Sequence, residues 1–571
     1  MIRYPRVRKT SSTATEGDQE PLKFVPLGGF EEVGRNMMFF EYKDEIVIID
    51  AGLQFPEETT PGIDYIIPNI GYLASKKENI KGLIITHGHY DHIGAIPYVI
   101  GKLGNPTIYT ASIPREIIKK RQEDFPNLPK LKIETVKPGD KIKFGNYFEA
   151  EFFELDHTIP DTIGTILKTP VGNMVHFVDF KFDYDHDGNP IGLDDYARIG
   201  KMGVHTLFMD STNAEREGIS ISERLVEKNL EELFKKSNGR IIVGTFGSLI
   251  TRLGEIIKIG HKLGKKIFIS GYSMKTNIQI AQNLGYLKID KGVLLPIEEL
   301  HKYKDDKVMI LCTGAQGEPN ASLMRIANGE HKFIKTKSGD TIILSSSIIA
   351  GNEHAVQVLK DNLTRQGARV YQSMHMDIHS SGHAPKEELK KVIQLVKPKH
   401  IVPVHGYYFM RAANRENAVD VGLPRENVFL MDNGQVAEAT ASDFKITDKT
   451  VDAFMVMVDG LGVGDVGEVV LRDRRILADE GMVVIINTLD KEKGTLLKNP
   501  DIISRGFIYL KENQEILDQI RARLRNIINQ MPKHQQIEAE YLKSLIRDQI
   551  GQFLYHKTQR RPMILPVVIE V

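Results

Sequence analysis

The sequence predicts a multidomain α/β protein, and three observations support this fold class. A chain of 571 residues is longer than one hydrophobic core usually supports, so roughly two to four domains are expected. Short β-branched apolar runs between Gly- and Pro-marked turns fill the first third of the chain, as buried strands do. From residue 214 to 374, strand and helix patterns alternate, which is typical of a parallel sheet with helices on its faces.

The predicted strands in the first third of the chain end in polar residues. EIVIID, KGLIITH and NMVHFVDF run into Asp50, His87 and Asp179, respectively. Since active-site groups often lie at strand ends in layered α/β folds, we expect these three side chains to be functional. The segment 93–103, IGAIPYVIGKL, is predicted to be a helix with Pro97 in its first turn.

Shifts in pattern give the remaining domain boundaries. After the alternating segment, a helix and a strand return to the style of the first domain. A module with amphipathic helices and a closing strand, PMILPVVIEV, ends the chain. We therefore expect a mobile N-terminal arm (1–21), a first domain (22–213) and an inserted parallel α/β domain (214–374). A return segment of the first domain (375–441), a linker (442–460) and a small α+β domain (461–571) are expected to follow.

The composition excludes several classes of protein. No apolar run reaches the roughly 18 residues of a membrane-spanning helix, and the basic N-terminus lacks the apolar segment of a signal peptide. The single cysteine, Cys312, excludes an intrachain disulfide framework and fits a reducing cytoplasm, where we expect the protein to act. Lys plus Arg and Asp plus Glu both number 75, and this balance does not exclude a local basic groove for nucleic acid.

The stretch THGHYDHIGAIP carries the strongest chemical signal. His87, His89, Asp91 and His92 follow a predicted strand within six residues. Imidazole and carboxylate together suit Zn²⁺ or Mn²⁺ better than Mg²⁺ or Ca²⁺. Consecutive residues cannot surround one tetrahedral ion comfortably, but they can present two pairs to two neighbouring ions. We expect His87 and His89 at one ion, and Asp91 and His92 at the other.

Two ions need further ligands, and other predicted strand ends supply them. His157 lies in ELDHTIPD, Asp179 in HFVDFKFD and His405 in VPVHGYY. A bridging role suits the carboxylate of Asp179. Paired metal ions activate a water and stabilise both oxygens of an in-line displacement, so hydrolysis, most naturally of a phosphoester, is expected. His176 lies inside a predicted strand and is expected to be a packed core residue instead.

These motifs resemble the metallo-β-lactamase superfamily. Asp50 is similar to its first motif, an aspartate that orients metal ligands, and residues 87–92 match the second. His157 and Asp179 match the third and fourth. Small-molecule hydrolases, such as glyoxalase II-like thioesterases, share these motifs, so the metal residues alone leave that alternative open.

The long insertion and three further motifs resemble the β-CASP nucleases within this superfamily. Asp210 in MDSTNAEREG, His383 in HSSGHAPKEEL and His405 in PVHG match their motifs A, B and C. With the distinctive NPDIISRGFIYL (499–510), the chain from about Phe24 resembles the bacterial ribonuclease J family. The resemblance implies a metallo-β-lactamase αββα sandwich with an inserted parallel α/β β-CASP domain and a small α+β C-terminal oligomerisation domain.

The resemblance also implies an activity. It would be a two-metal ribonuclease, with Zn²⁺ or alternatively Mn²⁺, that acts 5′ to 3′ on 5′-monophosphate RNA and also cuts internally. His383 would contact the scissile phosphate or the leaving group, Asp210 would anchor it, and Asp91 would share the catalytic centre. A terminal phosphate pocket would be formed by two loops, which otherwise read as ordinary turns: His379, Ser380, Ser381, Gly382 and His383, facing Ser345, Ser346, Ser347 and Asn352.

Four positions depart from the family pattern. Tyr90 replaces a frequent acid, Val178 a glycine, Tyr272 an arginine and Tyr407 a glutamate. None removes a metal ligand, but the loss of the arginine-like charge at Tyr272 leaves open how the β-CASP domain would hold RNA. The partners implied are single-stranded RNA with a 5′-monophosphate, a homodimer or homotetramer, and proteins of an RNA-decay complex, with no membrane. The alternatives are a small-molecule hydrolase, a DNA-directed β-CASP nuclease and a metal-free RNA-binding scaffold.

Overall fold

A computed structural model describes residues 20–56, 59–349, 351–490, 495–508, 513–530 and 539–571. The expected N-terminal arm, 1–21, lies almost entirely outside these residues. The chain forms two compact units. Among the described residues, the first comprises those up to Gln54 and from Ile67 to Met455, and the second comprises those from Phe55 to Ile66 and from Val456 to Val571. Among the helices of the described residues, none is long and apolar enough to cross a membrane.

Two sheets face each other in the first domain and enclose an aromatic core. The first has the strand order β21-β20-β1-β2-β3-β5-β6-β7. Its strands are β1 (Leu22–Gly28), β2 (Met37–Tyr42), β3 (Glu45–Ile49), β5 (Ile80–Ile84), β6 (Ile108–Thr110), β7 (Ile133–Thr135), β20 (Gln435–Ala439) and β21 (Phe444–Thr450). The second, ordered β19-β12-β11-β10-β9-β8, has strands β8 (Lys141–Phe144), β9 (Phe148–Glu154), β10 (Ile163–Thr169), β11 (Gly172–Phe177), β12 (Val204–Asp210) and β19 (His400–Val404).

Apolar side chains from both sheets hold this sandwich together. Phe24 of the first sheet packs on Phe208 of the second, with ring centroids 4.4 Å apart, and both rings are buried. Helices flank the sheets: α1 (Gly71–Ser75), α2 (Tyr90–Ile93), α3 (Ile96–Val99), α4 (Ser112–Gln122), α5 (Asp194–Lys201), α11 (Lys386–Val396) and α12 (Tyr408–Asp420). The sandwich with helices on it confirms the predicted αββα architecture.

The inserted domain is a parallel sheet covered by helices, as predicted. Its strand order is β15-β14-β16-β13-β17-β18, and its neighbouring strands pair in parallel. The strands are β13 (Ile241–Thr245), β14 (Lys266–Ser270), β15 (Leu294–Leu295), β16 (Val308–Cys312), β17 (Thr341–Ser345) and β18 (Arg369–Gln372). The helices are α6 (Glu223–Lys236), α7 (Ile250–Lys262), α8 (Tyr272–Asn283), α9 (Ser322–Ala327) and α10 (Glu353–Arg365).

The second unit packs two helices on one face of a small sheet. Strand β24 pairs with β25, β26 and β27, and a separate small sheet joins β22, β23 and β4. The predicted helix with the apolar stripe is α14, where Leu517 and Leu524 are buried. The elements are β4 (Tyr65–Ile67), β22 (Val456–Asp459), β23 (Gly462–Val463), β24 (Met482–Asp490), β25 (Thr495–Leu496), β26 (Asp501–Arg505), β27 (Met563–Glu570), α13 (Glu468–Asp479), α14 (Gln514–Asn529) and α15 (Ala539–Thr558).

Two local expectations need correction. The interval 442–460 is not a plain linker, because β21 within it pairs with β20 and extends the first sheet, and β22 begins the second unit. The predicted helix 93–103 is replaced by two short helices, α2 and α3. Pro97 does lie in the first turn of α3, but α2 already begins at Tyr90 and carries Asp91 and His92.

Candidate active site

The polar residues predicted at strand ends meet at one edge of the sandwich. Asp50 follows β3, His87 follows β5, and Asp179, Asp210 and His405 follow or end β11, β12 and β19. Within each sheet these strands run in parallel, so their carboxyl ends point the same way. Asp50 and His405 both adopt positive φ, 61° and 51°, where the chain turns sharply out of its strand. The parallel strands thus deliver these side chains to a common centre.

Three imidazoles and one carboxylate form the first candidate metal group. Donor atoms of His87, His89, His157 and Asp179 all lie within 4.8 Å of one another. The Nδ1 atom of His89 is 3.1 Å from Nε2 of His87 and 3.1 Å from Nε2 of His157. Burial holds the pKa of all three histidines below the usual range, to about 4 for His89. Neutral imidazoles that converge in this way fit a divalent cation.

A second group shares the carboxylate of Asp179. It adds Asp91, His92 and His405. His92 Nε2 lies 3.3 Å from Asp179 Oδ2 and 3.4 Å from Asp91 Oδ2. Oδ1 of Asp179 and Nδ1 of His405 lie 2.6 Å apart, but these two atoms and Nε2 of His405 are buried and make no hydrogen bond of good geometry within the described chain. Buried polar atoms without well-formed hydrogen bonds are costly, so this group also fits a cation, and Asp179 can bridge the two groups.

The histidines of the second group are positively charged, unlike the neutral histidines of the first group. Burial works against the charged form of His405, but Asp179 outweighs it and raises the pKa of His405 to about 10. Burial also opposes ionisation of Asp91, yet the charge on His92 brings the pKa of Asp91 well below its usual value. Protons on the two histidines therefore balance the carboxylates here, and a bound cation would replace those protons.

Neighbouring residues fix the orientation of the histidine rings. His92 Nδ1 donates to Asp50 Oδ2 at 2.7 Å, which leaves Nε2 facing the second group. Asp50 also accepts from the backbone amide and hydroxyl of Thr86 at 2.9–3.0 Å. His157 Nδ1 donates to the carbonyl of Gly382 at 2.7 Å, which leaves Nε2 facing the first group. Such outer partners set the tautomer of a metal-binding histidine.

His383 lies beside the metal groups and is held by Asp210. Its Nδ1 donates to Asp210 Oδ2 at 2.8 Å, and its side chain is 20% exposed. Its ring centroid is 5.6 Å from that of His157 and 5.4 Å from that of His405. Burial lowers the pKa of His383, but Asp210 and then Asp179 raise it more, so the pKa lies above its usual value. Asp210 in turn accepts from the amide and hydroxyl of Thr212.

The inserted domain presents its strand ends to the same centre. Ser248, which follows β13, places its hydroxyl 3.1 Å from Nε2 of His89. Ser345, the last residue of β17, is buried and donates its hydroxyl to the carbonyl of Ile378. After the strand, Ser347 is exposed and Asn352 is half-buried. Ser346 accepts from the Gln316 amide at 3.3 Å, and that amide also donates to the Ser347 carbonyl.

The HSSGH loop (His379–His383) is tied to the protein along its whole length. Asn213 donates to the hydroxyl of Ser381 and the carbonyl of His383 at 2.9 and 2.8 Å. At its start, the His379 ring contacts Arg252 and the Ser380 hydroxyl contacts Lys181. Both cations are buried and pair with the half-buried Glu223. The motif analysis missed all three charged residues. The sequence signal for Lys181 was a lone cation inside the apolar run HFVDFKF; the other two belong to helices and gave no signal.

Asn36 was also missed by the sequence analysis. Its backbone and side-chain amides both donate to the carbonyl of Asp91, at 3.0 and 3.1 Å, and Nδ2 lies 3.1 Å from His92 Nε2. Asn36 therefore holds the backbone of the HGHYDH segment beside the second metal group. Nothing in the local sequence distinguished this asparagine from a turn residue.

Family models match successive parts of the chain. They are Ribonuclease J, beta-CASP domain (238–363), Ribonuclease J C-terminal domain (469–571), Metallo-beta-lactamase superfamily (31–178) and Zn-dependent metallo-hydrolase RNA specificity domain (349–429). Ribonuclease J2 of Bacillus subtilis (strain 168) is 36% identical over 553 residues, which cover 97% of this chain and 99% of that protein. Ribonuclease J 1 of Streptococcus pyogenes serotype M3 is 38% identical over 543 residues, 95% and 96% of the two chains. The chain belongs to the ribonuclease J family.

Membership in the ribonuclease J family makes this chain an RNA nuclease of the β-CASP group. The metallo-β-lactamase fold and the two His/Asp groups indicate the use of divalent metal ions. A solved structure, a protein of unknown function from Enterococcus faecalis V583, shares the fold with a TM-score of 0.52 at 17% identity. The match covers 73% of this chain and 100% of that chain. The small-molecule hydrolase alternative is set aside by the matched RNA-nuclease domains.

Three of the four departures from the ribonuclease J pattern are tyrosines. Tyr90 is 40% exposed, and the Arg121 guanidinium lies 5.7 Å from its ring centroid. Tyr272 is 75% exposed at the start of α8, and Tyr407 is nearly parallel to Phe409, at 5°. Tyr90 directly precedes Asp91 in α2, and Tyr407 follows His405 by two positions, so these two tyrosines are close in the chain to residues of the second metal group. Val178, by contrast, is buried in the core.

Proposed function

We propose that the protein is a two-metal ribonuclease that degrades 5′-monophosphate RNA from the 5′ end and also cuts internally. It would serve RNA maturation and decay in the cytoplasm. The observation that carries this proposal is the bond from His157 to the carbonyl of Gly382. It joins a candidate metal ligand to the HSSGH loop, so the loop suited to a terminal phosphate and the cleavage centre are directly connected.

The residues present fit two divalent cations. His87, His89 and His157 would hold one, Asp91, His92 and His405 the other, and Asp179 would bridge them. The nitrogen-rich donor set favours Zn²⁺, with Mn²⁺ as the alternative. When bound, such a pair supplies a water activated near neutral pH and charge stabilisation for a phosphodiester displacement.

His383 is proposed to act on the scissile phosphate or the leaving oxygen. Asp210 occupies Nδ1 of this ring, so Nε2 remains for the substrate. The carboxylate stabilises the protonated imidazole, the form that can donate a hydrogen bond or a proton to the leaving oxygen. Asp210 therefore acts through His383 rather than on RNA directly.

The terminal phosphate is proposed to bind between the HSSGH loop and residues 346–352. Ser380, Ser381, Gly382, Ser346, Ser347 and Asn352 offer hydroxyl, amide and backbone N–H donors, which suit phosphate oxygens. His379 and Ser345 already have protein partners, so they would support the pocket rather than contact the phosphate. A pocket closed at its far end would have room for a monophosphate but not for a triphosphate.

A homodimer or homotetramer is proposed from the apolar face of the C-terminal sheet. Ile503, Leu565, Val567 and Ile569 are each 39–45% exposed. Pairing places Val484 of β24 between Ile503 and Leu565, so these residues lie on the same side of the sheet. The helices α14 and α15 bury the opposite face. A second copy of the chain would cover this apolar face; proteins of an RNA-decay complex are further proposed partners.

One experiment tests the activity. Single-stranded RNAs of one sequence with a 5′-monophosphate, triphosphate or hydroxyl would be incubated with the protein and Zn²⁺ or Mn²⁺, beside an Asp91→Ala, His92→Ala variant. Mononucleotide release chiefly from the monophosphate RNA, lost in the variant, supports the proposal. Internal cuts alone would remove the exonuclease part. Cleavage of a matched DNA at equal rate would favour a DNA-directed enzyme instead.

A further inference from the structure

Behind the HSSGH loop lies a charged cluster that the proposed chemistry does not use. Lys181 and Arg252 are nearly inaccessible, with side chains 1% and 4% exposed, and both contact the carboxylate of Glu223. Arg252 binds Glu223 through Nε and Nη2, at 2.7–3.1 Å, and Lys181 Nζ lies 2.7 Å from Glu223 Oε1. Burial of such charges is costly and is usually offset by a specific arrangement of partners.

Arg252 fixes the ring of His379. Its Nη1 donates to Nδ1 of His379 at 2.6 Å, so Nδ1 is the acceptor and the ring hydrogen lies on Nε2. Ile378, the residue before His379, accepts the hydroxyl hydrogen bond of Ser345 at 2.7 Å. Arg252 thus holds the His379 ring where the HSSGH loop is joined to the end of β17, and residues after β17 form the other wall of the proposed phosphate pocket.

Lys181 fixes the hydroxyl of Ser380. The ammonium has only donors, and Nζ lies 3.3 Å from Ser380 Oγ, so the oxygen accepts and the hydroxyl hydrogen points to another partner. Arg252 Nη2 is also 3.4 Å from the carbonyl of Ser380. Lys181 and Asn213 therefore occupy the hydroxyl oxygens of Ser380 and Ser381 as acceptors and leave the two hydroxyl hydrogens as donors for a ligand. Spare donors of this kind suit an anion such as a phosphate.

We propose that Arg252 and Lys181, held together by Glu223, are positioning residues that make the HSSGH loop selective for a 5′-monophosphate. This inference rests on the proposed 5′-phosphate pocket. Arg252 sets the distance between the two pocket loops through His379, and Lys181 directs the Ser380 hydroxyl toward the phosphate. Neither cation touches RNA; both act through the loop.

The test compares Arg252→Lys with Arg240→Lys. Lysine keeps the charge but cannot contact both Glu223 and His379 as the guanidinium fork does. Arg240 is an equally buried arginine of the same domain; it pairs with Asp340 at the opposite end of β13. For each protein, kcat and KM are measured on 5′-monophosphate RNA and 5′-hydroxyl RNA, and cleavage of a circular RNA without ends is followed in parallel.

We expect Arg252→Lys to lower the monophosphate-to-hydroxyl ratio of kcat/KM by about tenfold or more, the scale of one lost charge-assisted hydrogen bond, chiefly through KM. Its loss on circular RNA should be much smaller, and Arg240→Lys should keep the wild-type ratio. Lys181→Met keeps a side chain of similar length but removes the hydrogen-bond donor, so it should also lower the ratio. This variant tests the proposal if Arg252→Lys does not fold.

Equal losses on all RNAs in Arg252→Lys and Lys181→Met would overturn the inference and leave a purely structural role. An unchanged ratio would overturn it as well. If the wild-type protein shows no preference for 5′-monophosphate RNA, the proposed phosphate pocket is contradicted. That result comes from the wild-type protein alone, before any variant is compared.

Discussion

The ring of His157 donates a hydrogen bond from Nδ1 to the backbone carbonyl of Gly382, at 2.7 Å. The two residues are 225 positions apart and belong to different motifs. Through this bond a loop that returns from the inserted domain sets the tautomer of a candidate metal ligand. Metal binding and substrate positioning are therefore expected to depend on each other.

Gly382→Ala should disturb that relationship. A Cβ atom at residue 382 would lie 2.5 Å from Cε1 and 2.9 Å from Nδ1 of His157, closer than side chains tolerate. The ring must then shift, so bound metal and RNA cleavage should fall, by about 10- to 100-fold for activity. Gly101→Ala is the control, since a Cβ there meets nothing within 4 Å in the described structure. Equal activity of both variants would contradict the role of this contact.

His383→Ala should separate chemistry from metal binding. His383 is bonded to Asp210 and forms a further cluster with Asp179, Asp210 and His405, whose donor atoms lie within 4.8 Å of one another. It belongs to neither of the two proposed ligand sets. Loss of a general acid should lower kcat by roughly 100- to 10,000-fold on every RNA, with the metal content unchanged. Rates and metal content are measured on the same preparation. A variant that loses its metal in step with its activity would place His383 among the ligands instead.

Val567→Lys should reduce the oligomeric state. A charge in the centre of the apolar sheet face would be desolvated when a second copy binds. Light scattering on a sizing column should show a smaller mass at the same concentration, with the thermal midpoint little changed. Val469→Lys, on the exposed side of α13, is the matched control, because Val469 is 60% exposed outside this face. An unchanged mass for Val567→Lys would locate any interface elsewhere.

Cys312 should be unreactive in the folded protein at pH 8. Burial raises the pKa of its thiol to about 12, whereas an exposed cysteine ionises near about 8.5. At pH 8 the folded protein therefore holds the neutral thiol, and the thiolate that attacks iodoacetamide is scarce. Mass spectrometry should find no adduct until denaturant is added, while glutathione in the same tube reacts. Rapid labelling of the native protein would contradict the buried position.

The sequence was most informative where parallel strands end. Asp50, His87, Asp179 and His405 could be placed together because the carboxyl ends of neighbouring parallel strands meet at one edge. The same reasoning applied to the inserted domain, where alternating strands and helices predicted a parallel sheet and the structure confirmed it. In both cases the local pattern and the direction of the strands determine where the side chains lie.

Long-range contacts were beyond this reasoning. Strand β21 lies within the interval predicted to be a linker. Its sequence is polar and mostly exposed after Phe444, and pairing with β20 makes it a strand. The contact between Arg252 and His379 spans 127 positions, and neither residue shows a local sign of the other. His379 could be recognised as part of a motif, but the cation that fixes its ring could not.

The two groups that share Asp179 are proposed to hold two metal ions, and metal content tests this most directly. Protein purified without chelator and loaded with Zn²⁺ should hold about two ions per chain by elemental analysis. Asp91→Ala, His92→Ala should hold about one, since the group of His87, His89 and His157 remains intact. One ion in the wild-type protein, or the same content in both proteins, would contradict a two-metal site.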